Sequence, residues 1–267
     1  MPPTTSTTYR YEHFRLRHML ADLRFAPASP RPGDLVPPLD LDTIDGARIR
    51  LRELDRAHLV IFGSNTCPMT ASAATPLIRL HRRVGETVRF VLVQAREAHP
   101  GAHLPQPSSV EAKSAHARRL REALGVDYTV AIDDLDGQLH TALDVKPNAA
   151  YLIGTDGTIL FRSLWASDER GLHQALGAVS QGRAPVRVES RRMLGPMLGA
   201  IGHIDPIMRS AGPGATRDLA RSAPPMLLAA RLASLFRGRP PERRGSALLT
   251  ALGIAVIATI LALLLLA

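Results

Sequence analysis

Leu59-Val-Ile-Phe-Gly-Ser-Asn-Thr-Cys-Pro-Met-Thr70 is the stretch on which the reading of the whole chain turns. Its first four residues are a continuous apolar run of strand length, and Pro68 suits the first turn of a helix, where a missing N–H costs nothing. Leu77, Ile78, Leu80 and Val84 follow at helical spacing, and Val88-Arg-Phe-Val-Leu-Val93 is a second apolar run. A strand, a helix and a strand in this order predict a βαβ unit whose two strands are parallel and buried.

Outward from that unit the pattern continues on both sides. Upstream, Pro32-Gly33-Asp34 opens the domain, and Leu39–Asp42 with Arg48–Leu51 around Asp45-Gly46 reads as a hairpin. Downstream come a helix at Ser109–Leu124, a strand at Tyr128–Ile132 and a short helix near Gly137–Leu143. Two strands, Ala149–Ile153 and Thr158–Ser163, flank the turn Gly154-Thr-Asp-Gly157, and a last helix covers Ser167–Val179. A parallel half followed by an antiparallel half predicts an α/β fold, a thioredoxin-like three-layer α/β/α sandwich with a mixed sheet, plus a C-terminal transmembrane helix. The expected division is an N-terminal extension over 1–31, the thioredoxin-like domain over 32–181, a basic Pro/Gly/Arg-rich linker with an amphipathic helix over 182–245, and the membrane anchor over 246–267.

The anchor is read from Ala247–Ala267, 21 residues without a charge. At about 1.5 Å per residue they span roughly 30 Å, the thickness of a bilayer's hydrocarbon core. Arg237, Arg239, Arg243 and Arg244 flank only its N-terminal side, so the positive-inside bias predicts a single-pass tail anchor with the folded domain facing the cytoplasm. Met1–Leu20 carries three arginines and no apolar core of signal-peptide length, which agrees with that placement.

The net charge of +9 is concentrated ahead of the anchor, where Arg183–Arg244 holds twelve arginines against four acidic residues. Interleaved aromatics that stack on bases are lacking there, which argues against nucleic acid and for anionic lipid headgroups. Breaks at Gly195-Pro196, Gly212-Pro213-Gly214, Pro224-Pro225 and Pro240-Pro241 suggest a linker with short helices. Leu227, Leu228, Leu232, Leu235 and Phe236 share one helical stripe, suited either to the membrane interface or to docking on the domain.

Cys67 is the one cysteine, which excludes an intrachain disulfide, a CxxC pair and a multi-thiolate zinc site. At a helix N-terminus a thiol meets unpaired N–H groups and the positive end of the helix dipole, so a lowered pKa and a nucleophilic sulfur are expected. The hydroxyls of Ser64, Thr66 and Thr70 stand close in sequence to donate to a thiolate or a peroxide oxygen. The opposing reading, a small buried hydrophobe, is the usual state of a free cysteine and stays open. Asp133, Asp134 and Asp136 lack a closing glutamate for a calcium loop, and Pro100 keeps His99 and His103 off one helical face, so no metal is expected.

Gly63-Ser-Asn-Thr-Cys67-Pro68 resembles the active-site segment of iodothyronine deiodinases, in which selenocysteine takes the place of Cys67. Glu97-Ala98-His99-Pro100, just past the second strand, resembles their Glu-Ala-His segment, and the likeness runs over about Pro32–Ala178. Deiodinases form a branch of the thioredoxin superfamily close to peroxiredoxins, and the resemblance implies that Glu97 and His99 lie near Cys67. His99 would then protonate a leaving group while Glu97 orients it. His116, on the next helix, aligns loosely with another family histidine. Cysteine for selenocysteine makes a poorer deiodination nucleophile, and the TxxC spacing of peroxiredoxins is missing because Thr66 directly precedes Cys67.

These readings lead to one expectation and one rival. The first is a membrane-tethered thiol-dependent oxidoreductase in which Cys67, assisted by Thr66, Ser64, Glu97 and His99, reduces a peroxide, a disulfide or a halogenated aromatic. No cofactor is expected; the partners are an external thiol reductant and a small-molecule or protein electrophile. The rival is a non-catalytic thioredoxin-fold scaffold at the membrane.

Overall fold

The computed structural model describes residues 9–144, 146–185 and 187–266. Its centre is a sheet of eight strands in the order β2-β1-β5-β4-β3-β6-β7-β8. The strands are β1 (Asp40–Thr43), β2 (Arg48–Arg50), β3 (Ala57–Gly63), β4 (Val88–Gln94), β5 (Thr129–Ile132), β6 (Ala150–Ile153), β7 (Ile159–Ser163) and β8 (Glu189–Ser190). The inner trio β5-β4-β3 is parallel, and β6 and β7 run antiparallel beside it. The outer β1-β2 hairpin shows alternating burial, whereas β3 and β6 are buried almost throughout, as their unbroken apolar runs require.

Helices α2 (Pro68–Val84), α3 (Val110–Leu124) and α5 (Glu169–Ser180) cover one face of the sheet. Leu77, Leu120 and Leu172 from these helices pack there against Ile61, Leu92 and Leu152. The short α4 (Gln138–Ala142) and the chain around Phe25 and Val36 cover the other face, against Val60, Phe62 and Tyr151. A mixed sheet between two helical layers, with a βαβ unit and an antiparallel pair, is a thioredoxin-like sandwich.

A third body of structure lies over the end of the sheet where β3 and β4 finish. The stretch expected as a linker forms α6 (Leu194–Ala211), α7 (Pro213–Ser222) and α8 (Pro224–Ala233). Phe14 from the N-terminal stretch joins Ile204, Met208, Leu219 and Leu227 in one buried cluster, so the two tails of the domain are held together as a cap. The backbone N–H of Phe14 donates to the buried Asp218 carboxylate at 3.1 Å, and Ser222 Oγ donates to the Phe14 carbonyl at 3.1 Å. The short α1 (Leu16–Asp22) lies in the same region.

The last helix, α9 (Pro241–Leu266), is 26 residues long, and α6 packs on both it and α2. A Cβ on Gly202 would sit 2.0 Å from the Pro241 carbonyl, and one on Gly245 would sit 2.1 Å from the Leu198 carbonyl, so two glycines allow α6 and α9 to approach. Beyond Leu248 the apolar residues of α9 are exposed, from Leu249 to Leu265. The helix over Pro241–Leu265, with a mean hydropathy of 2.8, is long and apolar enough to cross a membrane.

Candidate active site

Gly63 pairs with Gln94 at the ends of the parallel strands β3 and β4, so the loops that follow them are neighbours. Cys67 is the N-cap of α2, with extended backbone angles, and Pro68 is the first residue of the helix. The loop 64–67 is clamped to the loop 95–99 by side chains of both. Ser64 Oγ accepts from the Ala98 N–H at 3.2 Å, and Thr66 Oγ1 accepts from the His99 N–H at 3.0 Å.

Glu97 is the hub of that clamp and is fully buried. One carboxylate oxygen accepts from the Thr66 N–H at 2.9 Å and the Thr66 hydroxyl at 2.7 Å. The other accepts from Gln94 Nε2 at 3.0 Å and Asn65 Nδ2 at 3.3 Å, and meets His116 Nδ1 at 2.8 Å. Asn65 also donates to the His116 carbonyl at 2.9 Å, and Gln106 holds the Glu97 backbone from both sides, at 2.9 and 2.8 Å. The pairing therefore differs from the expectation: Glu97 orients His116, on α3, and not His99.

His99 faces the other way. Its ring packs on Phe14 with centroids 4.2 Å apart, and its buried Nδ1 has no hydrogen-bond partner among the described residues. Burial lowers its pKa to about 4, so the imidazole is neutral at physiological pH.

Cys67 itself is 2% exposed, and burial pushes its thiol up to about 11. Hydrogen bonds from the Thr70 side chain and backbone and from the Met69 backbone act in the opposite direction and are outweighed. The lowered pKa expected from the helix terminus is therefore not what this environment produces: desolvation exceeds the pull of the N–H groups. At pH 7 the thiol is therefore neutral.

Cys67 is nevertheless a cavity residue. Cys67 and His99 line a cavity of about 530 Å³ between the domain and the cap, walled by carbon-rich side chains of α6 and α8 such as Met197, Ile204 and Met226, and by Trp165. That volume falls among those of small-molecule sites, roughly 300–1,000 Å³.

Asp22, near the end of α1, also lines this cavity, and sequence reasoning missed it. Burial raises its carboxyl to about 7, countered in part by Arg96 and Lys146. Its one sequence signal is position: His18 and Asp22, four apart, form the buried side of α1. Asn65, Gln94 and Gln106 were missed as well, because nothing in a polar loop residue announces a partner on another loop. Among the described residues no group of three His, Cys, Asp or Glu side chains is placed to hold a metal ion.

Topology and site together define a thioredoxin-fold chain with one cysteine at the strand–helix junction and a helical cap over it. No protein-family model matches the chain, and no curated protein matches its sequence. Among solved structures it is similar to an uncharacterized conserved protein of Geobacillus kaustophilus, at 21% identity and TM-score 0.49 over 62% of this chain and 90% of that one. It is also similar to a secreted Mycobacterium tuberculosis disulfide oxidoreductase, at 18% identity and TM-score 0.34 over 46% and 80% of the two chains. The peroxidoxin BcpB of the same organism overlaps at 18% identity and TM-score 0.38, over 50% and 84%. Overlaps of this quality say nothing about activity.

Proposed function

We propose that the chain is a membrane-tethered, thiol-dependent oxidoreductase whose nucleophile is Cys67, with the folded domain on the cytoplasmic side. The observation that carries this reading is that the sole thiol lies on the wall of a cavity that also receives the neutral imidazole of His99 and the Asp22 carboxyl. Attack by the sulfur on a peroxide leaves it two electrons more oxidised, as a sulfenic acid, and releases an alcohol or water; attack on a disulfide gives a mixed disulfide and releases the other thiol; an external thiol restores Cys67 in either case. With a halogenated aromatic, the substrate class suggested by the deiodinase-like motifs, the sulfur takes the halogen as a sulfenyl halide, the ring carbon takes the proton, and an external thiol then displaces halide to give a mixed disulfide.

The roles divide differently from the sequence expectation. Ser64, Thr66 and Glu97 act as positioning residues, since their polar groups are engaged between the two loops. Asp22, on the same cavity wall as Cys67, takes the thiol proton, and His99, which also lines the cavity, contacts the polar end of the substrate. Four arginines ahead of the apolar stretch of α9, Arg237, Arg239, Arg243 and Arg244, support the cytoplasmic orientation.

One observation favours the rival reading, a binding module without turnover: the thiol is held neutral by burial. The deciding experiment is thiol-dependent reduction of hydroperoxide, disulfide and halophenol substrates by the full chain in micelles, beside Cys67→Ser. Turnover by the parent that falls to background in the variant supports the oxidoreductase. Turnover unchanged in Cys67→Ser, or absent from both with every electrophile, rejects it and leaves the binding module.

A further inference from the structure

The cavity has a property that the redox reading does not require: its walls are the helices that lead into the membrane. Met197 and Ile204 come from α6, the helix on which α9 docks, and Met226 comes from α8, which also touches α9. Met19, Leu23, Pro224 and Pro225, on or beside α1 and α8, line the cavity, and the same two helices carry exposed leucines, Leu16 and Leu20 of α1 and Leu228 and Leu232 of α8. Arg17, Arg221 and Arg231 stand among them, exposed. Exposed leucines and arginines on the helices that line the cavity suit the boundary between acyl chains and anionic headgroups, and α8 packs on α9, the helix long enough to span the bilayer.

From this arrangement we infer that the cavity receives an acyl chain of a bilayer lipid, and that the electrophile presented to Cys67 is a hydroperoxide carried on that chain. This rests on the reading of Cys67 as a redox nucleophile only for its second half. An acyl chain matches the almost wholly carbon lining, and the few polar side chains on it, Asp22, His99 and Ser222 beside the Cys67 thiol, suit a small polar group on an otherwise apolar molecule. In the reaction the sulfur attacks the terminal peroxide oxygen, an S–O bond forms and the O–O bond breaks. The thiol becomes a sulfenic acid, the hydroperoxide is reduced to the lipid alcohol, and the thiol proton ends on the departing alkoxide. Two equivalents of a low-molecular-weight thiol then regenerate Cys67, giving their disulfide and water.

Trp165, the only tryptophan in the chain, lines the cavity and is 5% exposed, so it reports occupancy without any activity. The full chain is reconstituted in phosphatidylcholine vesicles with or without dibrominated stearoyl chains, bromine being a contact-range quencher of indole emission. The expected result is loss of more than half of the Trp165 emission in brominated vesicles, retained in Cys67→Ser and at least halved by Ala229→Phe, which narrows the cavity from a half-buried position on α8. Equal emission in both vesicle types, or quenching indifferent to Ala229→Phe, overturns acyl occupancy; if that variant does not fold, the parent comparison decides alone. In a second arm, phosphatidylcholine hydroperoxide should oxidise Cys67 at least tenfold faster than hydrogen peroxide at equal concentration. Quenching with equal rates overturns the substrate assignment, and quenching with no oxidation by either leaves the lipid site standing while rejecting the redox reading.

Discussion

Cys67 sits between two kinds of surroundings: on one side Glu97, at zero exposure, engages five polar groups, and on the other a cavity of about 530 Å³ leaves the Asp22 carboxyl facing mostly carbon. Both carboxylates are buried, yet they serve opposite ends. The hydrogen bonds to Glu97 replace its lost hydration and fix the geometry of two loops. Arg96 and Lys146 offset the desolvation of Asp22 only in part, which is how a carboxyl comes to titrate near neutrality. A site that performs chemistry needs both a frame that does not move and a group that can still change state.

The comparison breaks most severely if the frame is removed. Glu97→Ala strands the Thr66 N–H, Asn65, Gln94 and His116 in a buried place, and the expected loss of stability is about 3–5 kcal/mol, with Glu97→Gln losing less because an amide oxygen still accepts. Guanidinium unfolding of the full chain in micelles, followed by Trp165 fluorescence, measures both. A loss below about 1 kcal/mol for Glu97→Ala would show that the network is not the frame.

Asp22 sharpens the contrast through pH. Its carboxyl is raised in the folded state, so between the unfolded value near 4 and the folded value of about 7 the native protein holds a proton that the unfolded chain has released. The native state is therefore favoured at low pH, and this contribution is lost as pH rises through that window and stays lost above it. Asp22→Asn removes the dependence, and a gain of about 2–4 kcal/mol over the parent at pH 8, vanishing near pH 4, is expected. Parallel unfolding curves at the two pH values check it; the same difference at both would place the effect in packing.

How far the sequence discloses this architecture follows the same division. The sheet is legible because Leu59–Phe62 and Val88–Val93 admit few other structures, and parallel strands bring their following loops together whatever those loops contain. Hence Ser64, Thr66, Glu97 and His99 do meet near Cys67, although the partner of Glu97 lies on α3 at a position that only the finished fold brings close. The cap is poorly legible because a proline marks a helix start as readily as a break: Pro213, Pro224 and Pro241 each open a helix in what reads as a linker. Missing the cap meant missing the burial, so the thiol was expected to follow the helix dipole when in fact it follows desolvation.

The smallest expected effect distinguishes a positioning hydroxyl from a catalytic one. Thr66 Oγ1 donates to Glu97 at 2.7 Å and accepts from the His99 N–H at 3.0 Å, so its proton and one lone pair are both committed away from the cavity. Thr66→Val keeps the branched shape, leaves that N–H orphaned and removes one of the two Thr66 bonds to the carboxylate; about 1–2 kcal/mol of stability should be lost. If the hydroxyl only positions the loop, Thr66→Ser restores stability and the rate of Cys67 oxidation together, and the pH profile of that rate is the same in all three proteins. A Thr66→Val protein of parent stability whose oxidation rate has collapsed would instead put the hydroxyl in contact with the reacting oxygen, and would move the boundary between the two sides of Cys67 by one residue.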